Sequence, residues 1–167
     1  MPKLIKNGAI VDDQWVLVRD TTEEAQVLAF AANNLIVPLN YWLDHRESLL
    51  QRPGKTGVWL QSNEIPSALG DDWRMLELIA LNFPIFSDGR AYSSARELRL
   101  NLGYSGELRA IGDVLRDQLF YMSRCGFDAF SMRPDQNLDT ALSAFRDFTD
   151  GYQASVDKPV PLFRRRF

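Results

Sequence analysis

From about residue 25 onward, short apolar runs alternate with amphipathic stretches, and this alternation restricts the chain more than any other feature of its sequence. Five runs have strand length: Leu35–Leu39, Gly57–Gln61, Phe83–Ser87, Leu108–Ile111 and Phe127–Met132. The segments between them have helical spacing. Parallel strands must be joined by a long crossover, usually a helix, so the pattern predicts an α/β fold of repeated strand–helix units, about 20 to 25 residues each, around a mainly parallel sheet. Pro38 and Pro84 each lack an amide donor, which argues against central positions for the first and third runs. Right-handed crossovers are expected, but strand order is not encoded in a periodicity, so the sheet can be a partial barrel or open.

Three apolar stripes fit helices: Trp73, Leu76, Ile79 and Ala80; Leu115, Leu119 and Met122; and Leu138, Ala141, Leu142, Phe145 and Phe148, with Asn137 as the N-cap of the last. Gly103 and Gly126 stand where helices should end, and Asp113 where the next should be capped. The first twenty residues differ in character. Leu4-Ile5 and Ala9–Val11 flank Asn7-Gly8, a dipeptide suited to a two-residue hairpin, and Trp15–Val18 is aromatic and β-branched. Residues 1–20 therefore read as a short N-terminal antiparallel β meander and 156–167, with Arg164–Arg166, as a C-terminal tail. The 167 residues form one domain in this reading, large enough for one core.

A formal charge of −3 and a pI near 5.2 provide no general attraction to nucleic acid or to an anionic membrane, and neither is an expected partner. The single cysteine, Cys125, excludes an internal disulfide and a four-cysteine metal site. It lies at a helix end, where a packed thiol is the expected state. His45 is the only histidine, and no metal is expected. With no apolar stretch of about 18 residues and no leader pattern, the expected location is cytoplasmic. The sequence contains no phosphate-binding Gly-x-x-x-x-Gly-Lys motif, no Gly-x-Gly-x-x-Gly after a strand and no Gly-x-Ser-x-Gly. A nucleotide triphosphatase, a dinucleotide oxidoreductase and an α/β-hydrolase are thereby disfavoured. A flavin needs no glycine fingerprint and stays compatible, so the cofactor is unknown.

Parallel α/β sheets place ligands beyond the carboxyl ends of their strands. That rule selects Asn40; Gln61 and Asn63; Asp88, Arg90, Tyr92, Ser93 and Ser94; Gly112 and Asp113; and Arg133 with Asp135. In the richest exit, Ser93 and Ser94 open a helix whose amide groups, with Arg90, would hold a small anion. Arg109 would act as a second clamp, and Asp88 and Asp113 are the candidate acids or bases. A structural reading competes at each point: Arg90 pairs with Asp88 to fix a loop, Arg109 pairs with Glu107 along one strand, and Asp113 caps a helix. On the functional reading, Asp88, Arg90 and Arg109 converge on one rim.

The runs Phe83–Ser93, Gly106–Val114, Asp117-Gln118 and Arg124–Phe130 together resemble the bacterial family called domain of unknown function 934, most strongly from about 83 to 130. The resemblance implies a pathway rather than a reaction. Members are typically encoded beside assimilatory sulfite reductase and other sulfate-assimilation genes and have been described loosely as oxidoreductases. It implies an accessory protein of sulfite reduction whose partner is sulfite reductase or another protein of that pathway, and it carries no catalytic residues across. Two alternatives come from the residues themselves: an enzyme or sensor of a small anion, and a structural homodimer, because the chain is short of the roughly 250 residues typical of an eight-unit barrel.

Overall fold

The computed structural model describes residues 1–19, 21, 32–146 and 156–160. Phe148 and Arg164–Arg166 lie outside them. Eight strands form one curled, mostly parallel sheet: β1 Lys3–Lys6, β2 Ala9–Asp12, β3 Trp15–Leu17, β4 Asn34–Pro38, β5 Thr56–Leu60, β6 Leu78–Phe83, β7 Glu107–Gly112 and β8 Ala129–Phe130. Their order is β2-β1-β8-β7-β6-β5-β4-β3. From β3 to β8 each strand lies parallel beside its predecessor, whereas the β1–β2 hairpin is antiparallel and joins the sheet by pairing β1 with β8. The expected mixed architecture is present, with β3 on the edge opposite the hairpin.

Stepping one strand at a time in one direction, with right-handed crossovers, puts the crossovers from β4 to β8 on the same side of the sheet. The described helices are α1 Leu39–Leu50, α2 Arg90–Arg96, α3 Leu119–Cys125 and α4 Leu138–Leu142. Leu35, Val37, Val58, Leu60, Ile79, Leu81, Leu108 and Ala110 form one buried cluster with helix residues such as Trp42, Ala95 and Met122. The alternate residues Ile36, Trp59, Leu78, Ala80 and Ile111 form a second cluster on the other face, with Trp15 and Leu17 against it. The period-two pleat thus divides one sheet between two cores.

The sheet is a half-barrel, and two observations show its curl. In a flat sheet the edge strands β2 and β3 would stand roughly 33 Å apart. Yet β2 ends at Asp12 and β3 begins at Trp15, three Cα steps that span at most about 11 Å. At this end Asp13 accepts two bonds from Arg109 of β7, both 3.0 Å, across the concave face.

Several expectations change. The stripe Trp73, Leu76, Ile79 and Ala80 is not a helix: Asp72–Arg74 is a single 3-10 turn, and Ile79 and Ala80 belong to β6, all six residues of which are buried. A strand covered on both faces loses its polar alternation, so Leu78–Phe83 mimics a buried helix segment. Strand β6 therefore ends where the third expected run, Phe83–Ser87, begins, and residues 84 to 87 are an exposed loop. Other local signals are realised. Asn7 and Gly8 adopt positive φ in the β1–β2 turn, Gly103 and Gly126 are left-handed, and the Asn137 side chain accepts from the Thr140 amide at 2.9 Å.

Candidate functional site

The strands' carboxyl ends form a rim, and a cleft of about 360 Å³ opens there, lined by Arg19, Asn82, Phe83, Pro84, Gly112, Asp113 and Arg133. Arg19 follows β3 and Arg133 follows β8, strands five places apart in the sheet. Curling brings them to one opening.

Asp113 ties this rim together. Its Oδ1 accepts from Arg133 Nη1 and its Oδ2 from the Phe86 amide, each at 2.8 Å, so it links the exits of β6, β7 and β8 and does not cap a helix. Gln118 holds the same loop by donating to the Phe86 carbonyl at 3.0 Å. Arg133 also grips Asp135 through two bonds of 2.6 and 2.7 Å. That grip holds the Asp135 carboxyl down at about 2 and raises the guanidinium still further above its ordinary value.

Asp88 and Arg90 do meet at the rim, but they spend their charges on each other. Arg90 donates to both Asp88 oxygens, at 3.0 and 2.7 Å, and to Ser62 Oγ at 2.9 Å. The guanidinium first, and then Ser62, keep the Asp88 carboxyl well below the usual carboxylate range, which makes it a poor proton acceptor near neutrality. The helix predicted to begin at Ser93 begins at Arg90, so Ser93 and Ser94 lie within it and Ser94 is buried. The anion site expected from a serine-capped helix start is not formed. Tyr92 faces the helix layer instead of the cleft, with its ring 5.2 Å from that of Phe83 and 4.9 Å from that of Tyr121.

The structure does not bring Arg109 to Asp88 and Arg90. It lies in the middle of β7, 3% exposed, bonded to Glu107 at 2.8 Å and to Asp13; Lys6 bonds to Glu107 at 2.6 Å. Two basic and two acidic groups balance within the concave face. The expected convergence of three residues is therefore reduced to one pair. His45 stacks on Tyr41 with ring centroids 4.1 Å apart on α1 and does not line the cleft. Cys125 is buried, and burial raises its thiol pKa. Among the described residues no cluster of three His, Cys, Asp or Glu side chains is placed to hold a metal, and no helix is long and apolar enough to cross a membrane.

Two cleft residues escaped the sequence reading. Arg19 has, among the described residues, no hydrogen bond or ion pair; its guanidinium lies 5.8 Å from the centre of the Trp59 ring. Asn82 is 6% exposed; its Nδ2 donates to Gln61 Oε1 at 2.9 Å, while its Oδ1 has no donor among the described residues. A buried acceptor left so costs about 1–3 kcal/mol. The strand-exit rule would have found both, had β3 been read as the first parallel strand and β6 placed five residues earlier.

Burial also sets an alkaline limit. An unfolded tyrosine titrates near 10, but burial pushes Tyr92 up to about 12 and Tyr104 higher. Above about pH 10 the unfolded chain releases protons that the folded chain keeps, so stability complete below that pH declines as pH rises toward 12 and beyond. Tyrosinate absorbance should therefore rise in two stages, with Tyr92 and Tyr104 ionising as the chain unfolds. A single stage near pH 10, with circular dichroism unchanged, would contradict the packing described.

A comparison with curated proteins finds no match. A family model matches residues 57–163, from β5 through the strands that build most of the cleft. That span is more than half of the chain, and the protein belongs to the family described as bacterial protein of unknown function (DUF934).

Proposed function

We propose that the protein holds a small oxyanion in the cleft at the strand exits and serves as a cytoplasmic accessory of assimilatory sulfite reduction, docking beside the reductase. Arg19 carries the first half of this reading. Arg90 and Arg133 are committed to carboxylates, whereas Arg19 lines the cleft with no carboxylate partner among the described residues. Its planar fork suits an oxyanion, and the low-dielectric wall supplied by Phe83 and Pro84 strengthens the attraction. The pathway rests on the family resemblance, for which sulfite is the oxyanion of interest.

Calorimetric titration with sulfite, sulfate and inorganic phosphate tests the binding. Arg19→Ala should weaken the interaction roughly tenfold or more, as expected for a lost charge-assisted hydrogen bond, while an exposed position leaves the melting temperature nearly unchanged. Absence of binding by the wild type, or equal binding by the variant, would reject the site. Retrieval of sulfite reductase by the tagged protein, and poor growth of a deletion strain on sulfate relied upon as sulfur source, test the pathway. A flavin band in the freshly purified protein would add a redox role.

A further inference from the structure

We infer that Asn82 selects among oxyanions, admitting one that retains an O–H, such as hydrogen phosphate or hydrogen sulfite, over fully deprotonated sulfate. This rests on the reading of the cleft as an oxyanion site and names the class of ligand it takes. The acceptor is fixed in place, because the 2.9 Å bond from Nδ2 to Gln61 commits one side of the amide and leaves Oδ1 buried and without a donor among the described residues. Gly112 keeps the wall beside it clear: a Cβ there would lie 2.6 Å from Oδ1. Asp113 brings further oxygens to the same lining, both already engaged by donors.

The cleft therefore sets Arg19, which has no carboxylate partner among the described residues, against walls rich in acceptors. Sulfate presents acceptors in every direction, so an oxygen turned toward Asn82 meets lone pairs with lone pairs. An O–H turned the same way makes the missing hydrogen bond and leaves the remaining oxygens for Arg19. A site with a buried polar group discriminates strongly against a ligand that cannot pair it.

Hydrogen phosphate and sulfate have the same shape and the same charge near pH 7.5, and they differ in that one proton. Calorimetric titration at matched ionic strength should show phosphate binding at least about tenfold tighter than sulfate. Equal or tighter binding of sulfate overturns the selection. Asn82→Leu should bring the ratio close to one, and Gln61→Leu, at an exposed position, should narrow it by freeing the amide; a ratio unchanged in both variants also overturns it. If Asn82→Leu does not fold, the wild-type ratio and the Gln61 variant still decide. Two anions bound equally, and both weakened by Arg19→Ala, would remove the selectivity alone. If neither anion binds, the oxyanion site itself falls with it.

Discussion

Replacing Arg109 by alanine is expected to cost about 3–5 kcal/mol of stability, the largest effect of any single substitution considered. The side chain is 3% exposed and bonded to Glu107 and Asp13. Its removal leaves two carboxylates facing one lysine inside the concave face, together with a void the size of a guanidinium. Each kcal/mol should lower the melting temperature by roughly 2–4 °C in a chain of this length. Arg109→Met fills the void without restoring charge and should recover little. Adding Asp13→Asn to Arg109→Met should recover a substantial share, because the uncompensated carboxylate is then gone, and a double-mutant cycle will show coupling above 1 kcal/mol, on the order expected for contacting groups. A loss below about 1 kcal/mol for Arg109→Ala would mean that Arg109 serves some end other than stability. Its pairing with Asp13 would then need another explanation.

Gly112→Ala should come second, at about 3 kcal/mol, and it should also abolish ligand binding. At φ +93° any side chain is strained, and the new Cβ would overlap the Phe83 carbonyl oxygen and crowd Asn82 Oδ1. The Phe83 carbonyl accepts from the Asp113 amide at 2.7 Å, so pushing it away loosens the end of the β6–β7 ladder and the clamp that holds the rim. Denaturant unfolding measures the stability loss, and titration with phosphate measures the loss of binding. An alanine variant with unchanged midpoint and affinity would show that this wall tolerates bulk.

Much of the local structure was legible in the residues, because the information needed was local. The Asn7-Gly8 turn, the Asn137 cap and the position of β7 each depend on neighbours within a few residues. The in-strand alternative for Arg109 was equally accessible, since Glu107 and Arg109 share one face of a strand. Its other partner, Asp13, was not, because nothing in the order of residues says that a two-residue link joins opposite edges of the sheet. β6 was misplaced for a different reason: burial on both faces removed the alternation that marks a strand, and Asn82 became invisible with it. Arg19 gives no signal in the sequence because Trp15–Val18 follows directly on the antiparallel hairpin and reads as part of it. Its partner β4 begins at Asn34, on the far side of a segment that gives no pairing signal of its own.

The pairing of β1 with β8 has a consequence for how the fold is reached. Ile5 lies more than a hundred positions before Phe130 and waits for it before its strand has both neighbours. A nascent chain can assemble β3 to β7 progressively, each strand adding to the last, but the β1–β2 hairpin has no docking place until β8 has emerged. Such a distant contact is closed late and slowly. In the meantime Leu4 and Ile5, both fully covered at the end, are apolar surface that a chaperone or an adjacent nascent chain can meet first.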